Sequence, residues 1–219
     1  MMKTSRTVSG LHSSTRGWIV IVALALSGCG GGGGYGKGDC VSGTCSGPTP
    51  GFCEVTWANA TYKGPCVNGQ PEGSGTTLFD GSSKGGGSTY IGDYVKGEQE
   101  GQGMMAWKKT GDLYRGAWKH NHREGMGTQT YGRDGATYEG PWVNGKRSGK
   151  GKMTSKNGNV YVGDFTDNDE TGEGTLTFTD GRKKTGHFVK GWSEGACTFF
   201  KPDGSVEFQG TCKHGEPVK

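Results

Sequence analysis

The string YEGPWVNGKRSGKGKMTSKNGNV, residues 138–160, carries a tyrosine, a glycine and a tryptophan two apart, then a glycine, then a Gly-x-Gly pair, and Tyr161 opens the next copy. Working outward, the same glycine recurs at Gly64, Gly92, Gly116, Gly140, Gly163, Gly186 and Gly210, at spacings of 23 to 28 residues. Two residues before it lie Tyr62, Tyr90, Tyr114, Tyr138, Tyr161, Lys184 and Phe208. Two residues after it lie Cys66, Tyr94, Trp118, Trp142, Phe165, Phe188 and Cys212. The second glycine pair follows at Gly73/Gly75, Gly101/Gly103, Gly125/Gly127, Gly149/Gly151 and Gly172/Gly174, and decays to Gly195 and Cys197 in the sixth unit.

Residues two apart share one face of a strand. Tyr114, Gly116 and Trp118 therefore line one face, and a turn around Asn121 reverses the chain. Gly125, Gly127, Gln129 and Tyr131 then line a face of the next strand, with Met105 and Trp107 at the last two places of the unit before. Each unit is a β-hairpin with rings and glycines on one face and mostly polar residues on the other. Glycine ordinarily weakens a strand, but here its missing side chain leaves room for a ring to lie across the backbone. Lone hairpins are marginal, so consecutive ones must pair edge to edge. An all-β, elongated, twisted antiparallel sheet of roughly a dozen short strands follows.

The pattern resembles the MORN repeat family, over about 155 of the 219 residues. The resemblance implies the same tandem-hairpin architecture and a role as a membrane-associated or scaffolding module, in some members beside a catalytic domain.

The chain begins differently. Lys3, Arg6 and Arg16 precede an apolar run from Trp18 to Leu26, too short to span a bilayer but suited to a signal peptide. The run ends in Leu26-Ser27-Gly28-Cys29, which resembles the lipobox of bacterial lipoproteins. That resemblance implies cleavage before Cys29, lipidation of its thiol and a lipid-anchored place in the cell envelope. Gly30 after the cysteine favours the outer membrane, by the same analogy. Three segments are expected: a signal peptide over 1–28, a lipidated cysteine with a flexible Gly-rich tether over 29–52, and the repeat array over 53–219.

Removing residues 1–28 leaves 22 basic residues against 21 acidic ones, so global charge does not argue for nucleic acid. Hydrophobic content is 30%, with 46 glycines, too little for one thick core but enough for stacked repeats. With Cys29 assigned to lipid, Cys40, Cys45, Cys53, Cys66, Cys197 and Cys212 remain, an even count that reads as disulfides in an oxidising compartment. Cys66 and Cys212 take one position in the first and last units. Among the many possible pairings, Cys53–Cys66 and Cys197–Cys212 are expected as matching cross-strand links, with Cys40–Cys45 as a local loop.

Nucleophile, phosphate-loop and zinc motifs are missing from the string, and neither a cofactor nor a metal is expected. His120 and His122 fall in a basic hairpin turn. Two surfaces stand out as candidate binding sites. One is the aromatic face: Tyr90, Tyr94, Trp107, Tyr114, Trp118, Tyr131, Tyr138, Trp142, Tyr161 and Phe165, which either forms a groove for an extended sugar or peptide or simply packs the sheet. The other is a basic edge at Lys119, Arg123, Lys146 and Arg147. Residues 108–156 hold 11 Lys/Arg and 4 Asp/Glu, whereas residues 157–180 hold 6 acids and no bases. The sequence thus points to a non-enzymatic, lipid-anchored envelope protein whose array is a protein-binding or scaffold module. The alternative is direct binding of an envelope polymer such as peptidoglycan or lipopolysaccharide, or of an anionic lipid surface.

Overall fold

The computed structural model describes residues 51–81 and 87–218; Cys29, Cys40, Cys45 and the expected signal and tether lie outside the described residues, apart from the tether's last two. The array is a single antiparallel sheet of 17 strands. Three of them, β3 (Gln70–Pro71), β10 (Lys146–Arg147) and β17 (Glu216–Pro217), are two-residue pieces cut off by a bulge or turn, which leaves fourteen longer strands. The rest form a meander in chain order: β1 (Gly51–Trp57), β2 (Ala60–Val67), β4 (Gly73–Phe79), β5 (Thr89–Val95) and β6 (Glu98–Trp107) lead in. β7 (Asp112–Lys119), β8 (His122–Thr130), β9 (Thr137–Val143), β11 (Gly149–Thr154), β12 (Val160–Thr166) and β13 (Asp169–Thr177) make the middle. β14 (Lys183–Val189), β15 (Trp192–Phe200) and β16 (Val206–Lys213) close it.

Turn chemistry fixes the two long edges. Along one, a two-residue turn places both central residues at positive φ, as at Asn144-Gly145 (49° and 77°) and His120-Asn121 (48° and 65°). That is the mirror-image turn whose twist matches the strands, and it favours Asn and Gly. Asn68-Gly69, Lys96-Gly97, Asp167-Asn168, Lys190-Gly191 and His214-Gly215 repeat it. The other edge uses longer Asp/Asn-Gly loops. There Asp134, Asn157, Asp180 and Asp203 each accept the backbone N–H two residues on, at 2.8–3.2 Å.

Register brings the glycines together. Gly75 pairs with Gly92, Gly92 with Gly103, Gly103 with Gly116, Gly116 with Gly127 and Gly127 with Gly140. The line continues through Gly151–Gly163, Gly163–Gly174 and Gly174–Gly186, and ends at Cys197 and Gly210. A glycine lane therefore crosses the sheet at right angles to the strands. The two glycines of each Gly-x-Gly have separate duties, which the spacing did not reveal. Gly127 lies beneath a ring: a Cβ there would come within 2.5 Å of Tyr114 Cε2 and Cζ. Gly125 has φ of 74° and marks a bulge, where the β7–β8 register shifts between Gly116 and Trp118.

Cys53 and Cys66 are paired across β1–β2, and Cys197 and Cys212 across β15–β16, each with a Cα–Cα separation of 5.9 Å. Among the described residues no helix is long and apolar enough to cross a membrane.

Candidate functional site

The aromatic face is the core of the molecule. Tyr62, Tyr94, Tyr90, Trp118, Tyr114, Trp142, Tyr138, Phe165, Tyr161 and Phe188 follow one another as a zigzag of edge-to-face contacts, 4.9–5.4 Å between centroids. Such pairs add about 0.5–1.5 kcal/mol each beyond buried area. Tyr62, Tyr90, Tyr114, Tyr138 and Tyr161 lie over the lane, and each hydroxyl donates to the carbonyl three residues on, as Tyr62 to Pro65 (2.8 Å), Tyr114 to Ala117 (2.9 Å) and Tyr138 to Pro141 (2.9 Å). Burial keeps these phenols neutral, pushing Tyr62, Tyr114 and Tyr138 up to about 12 and Tyr90 and Tyr161 higher still.

Of the two readings of this face, a groove or the packing of the sheet, the burial favours packing. Tyr90, Tyr94, Tyr114, Trp118, Tyr138, Trp142, Tyr161 and Phe165 are all 5% exposed or less, so a ligand could not stack on them without displacing a neighbour. Trp107 and Tyr131 are partly buried against the ladder and remain accessible.

The basic edge needs correction. Arg123 folds back over the rings, its guanidinium 4.0 Å from the Trp142 centroid and bonded to Gln129 Oε1 (3.0 Å) and the Gly145 carbonyl (2.6 Å). Burial pulls its pKa below the ordinary arginine value. Arg147 lies over Tyr138 and Phe165, at 5.6 and 5.4 Å, and donates to Met153 Sδ and the Asn168 carbonyl. Lys146 pairs with Asp167 (2.9 Å), while Lys119 stays exposed. The basic and acidic blocks of the sequence are neighbours in the sheet. Lys150–Asp164 (2.9 Å) and Lys146–Asp167 tie them together, so the segment presents a mixed surface.

A groove of about 1290 Å³ opens on the opposite face, with the glycine lane as its floor from Gly116 to Gly210. One wall is a cross-strand row in continuous register: Arg115, Thr128, Glu139, Lys152, Val162, Thr175, Thr185, Thr198 and Gln209. The other wall includes Met126, Lys150, Glu173 and Ala196. Its charges are largely paired across strands, Lys152 with Glu139 (3.9 Å), Lys150 with Asp164 and Glu173 with His187 (3.5 Å). The alternation of polar residues was visible in the sequence, but not that cross-strand register would line them up as the walls of a groove.

A second set of residues went unnoticed. Glu72, Glu100, Glu124 and Glu194, each just before the first glycine of a pair, accept backbone N–H bonds from Lys96, His120, Asn144 and His214 in the next unit's turn, at 2.8–3.1 Å. The recurring Glu-Gly dipeptide was the available signal. At one such turn His120 Nδ1 lies 2.8 Å from Glu98 and 3.3 Å from Glu100, the one group of three potential metal ligands among the described residues. His214 makes the corresponding approach to Glu194 (3.8 Å), so the His–Glu pairing belongs to the turn contact.

Compared with known families, residues 67–83, 90–110, 114–135, 138–160, 161–181 and 185–206 match the MORN repeat. The matches span more than half of the chain. The chain belongs to the MORN repeat family. MORN repeats build binding or scaffold modules, and this array is one. No curated protein matches the chain. Solved structures that resemble the MORN sheet include two Drosophila melanogaster TCP domains. The SAS-4 domain in complex with a proline-rich motif of Ana2 has 14% identity and TM-score 0.43, covering 74% of this chain and 91% of its own. The TCP10c domain of Sas-4 has 14% identity and TM-score 0.35, covering 74% and 99%. A point variant of the TCP10 domain of Danio rerio CPAP has 11% identity and TM-score 0.24, covering 73% and 99%.

Proposed function

We propose that this chain is a lipid-anchored protein of a bacterial envelope whose MORN array holds a protein partner in the groove above the glycine lane. The observation that supports it is the division between the two faces. The aromatic face is used up by its own packing, whereas the opposite face offers a long groove of threonine, glutamine and mutually paired charges. Neutral polar walls of this kind suit hydrogen bonding to a polypeptide; a polyanion calls for unpaired bases. The envelope-polymer or anionic-lipid alternative draws on Lys119 and on the unpaired Arg115 in the groove.

A photo-crosslinking residue placed at Thr175 or Thr185 in the groove, with Lys156 at a loop tip as the control, tests the reading in intact cells. A discrete protein adduct from the groove positions alone is expected. An absence of protein adducts, together with sedimentation of the chain on peptidoglycan or anionic vesicles, would replace it with the alternative. Anchoring is tested separately, since Cys29→Ser should move the protein from the membrane fraction to the soluble one.

A further inference from the structure

Arg123 and Arg147 occupy successive copies of one slot in the ring layer, and the copy before them is empty. Arg123 sits opposite Trp118 in the hairpin, Arg147 opposite Trp142, and Gln99 opposite Tyr94. Around Arg123 the slot consists of the ring of the next unit (Trp142), the tyrosine of its own (Tyr114), the facing Gln129, the Gly145 carbonyl of the next turn, and Trp107. Around Arg147 the corresponding groups are Phe165, Tyr138, Met153 and the Asn168 carbonyl.

Stepping back one unit from Arg123 gives Trp118, Tyr90, Met105, Asn121 and Phe79. Trp118, Met105, Asn121 and Phe79, with Trp107 and Gln99, line a cleft of about 490 Å³, and His122, Arg123 and Gly145 complete its wall. The cleft exists because Gln99 is shorter than arginine and its side chain is turned aside, bonded to the Tyr94 hydroxyl. Tyr94 is held in place by Thr77 at 2.5 Å. Phe79 and Trp107 are only partly buried, so the cleft is open to solvent.

We infer that this cleft receives the guanidinium of an arginine side chain presented by a protein partner. The inference rests on reading the array as a protein-binding module and names a chemical feature of what it binds. A flat cation over the Trp118 face repeats the Arg123–Trp142 arrangement. Met105 Sδ takes the place that Met153 Sδ has beside Arg147, and the Asn121 carbonyl takes the place of the Gly145 and Asn168 carbonyls. Glu98 and Glu100 alternate to the other face of β6 and are engaged by His120, so a cation in the cleft is held by the Trp118 ring and the neutral acceptors. Arg123 borders the cleft and opposes a second cation there, as Arg147 opposes Arg123, yet Arg123 and Arg147 stand in consecutive slots.

The test is a titration of the purified full chain with N-acetyl-arginine amide and, in parallel, N-acetyl-lysine amide, followed by the NMR signals of the indole N–H groups. The arginine amide should shift Trp118 and Trp107 saturably in the millimolar range, and the lysine amide should bind about ten-fold more weakly. In Gln99→Arg the protein's own side chain fills the cleft, so the shifts should vanish and Tm should rise. In Gln99→Glu a carboxylate borders the cleft, and the arginine amide should bind several-fold more tightly. Arg123, Arg147 and Glu170 stand at this position in other units, so the sheet accommodates both replacements. An unsaturable titration, equal binding of the lysine amide, or an unchanged response in Gln99→Arg would each overturn the inference. The probe involves no partner, so its failure is a different result from a failed crosslink in the groove.

Discussion

The same position carries a ring in the middle of the array and a half-cystine at both ends. Tyr94, Trp118, Trp142, Phe165 and Phe188 each sit after a lane glycine, and Cys66 and Cys212 take that place in the first and last units. In the middle, a ring is wedged between two tyrosines: Trp118 touches Tyr90 and Tyr114, and Trp142 touches Tyr114 and Tyr138. At an end there is a neighbour on one side only, and a large ring would leave a face in water. A cystine is small, needs no second neighbour, and links its two strands covalently. Cohesion in the middle is thus shared between units, whereas at the ends it is internal to a hairpin.

The largest test of that contrast is a methyl group in the lane. Gly127→Ala should lower unfolding stability by about 3 kcal/mol, because Tyr114 is locked on both sides and cannot move away. Gly210→Ala at the C-terminal end should cost about 1 kcal/mol. Its Cβ meets the Phe208 ring tip at 2.8 Å, and that ring is half-buried and free to tilt. Equal losses in urea titrations would erase the difference between middle and end.

Next in size is removal of one cystine. Cys197→Ser with Cys212→Ser opens a link of sequence separation 15 and should cost about 3 kcal/mol at most by the chain-entropy argument. Hydrogen exchange should then rise in β15 and β16 while the Tyr114–Trp142 region stays protected. Uniform loss of protection would mean that the ends hold the middle together.

Alkaline pH acts on the ladder tyrosines, from Tyr62 in the first unit to Tyr161. The ladder phenols have folded pKa values near 12 or above, against 10.0 for an unhindered tyrosine. The folded state keeps protons that the unfolded chain loses, so this contribution is intact below about pH 10 and disappears as pH rises through about 12. Circular dichroism and phenolate absorbance should change together in that window. Phenolate appearing near pH 10 with the sheet intact would show that the rings are loosely held.

The smallest effect belongs to the edge. Glu124→Ala removes the acceptor for the Asn144 N–H (2.8 Å) and should cost about 1 kcal/mol or less in a chemical melt. The turn at Lys190 has Thr171 where this glutamate would stand, so Thr171→Ala should cost less again.

Much of the fold was legible because glycine and aromatic spacing are backbone matters. Tyr114, Gly116 and Trp118 announce a strand, and the steps Gly116–Gly127–Gly140 announce the register. Gly125 was misread as ring space because a bulge depends on a shift between two strands, which spacing within one strand does not show. Arg123 and Arg147 were read as free bases because a long side chain on a turn-proximal strand can point outward or fold back. The choice is made by Trp142 and Phe165, 18 or 19 residues further on. The charge blocks looked separate for the same reason. Lys150 meets Asp164 only once β11 and β12 pair. The groove was hidden because its wall is a register feature: Arg115, Thr128, Glu139 and Lys152 form one row only once four strands have paired.

Because every long strand pairs with its neighbours in the chain, the array has a mechanical direction. Tension applied across the strands, between residue 51 and a body held at β16, would open one ladder at a time in the manner of a zipper. In an ordinary zipper the terminal teeth part first. Here Cys53–Cys66 and Cys197–Cys212 close the outermost hairpins with covalent bonds, so neither can be peeled strand from strand. A pull would have to begin at an inner seam, where rings from two units are interlocked and many contacts must break together.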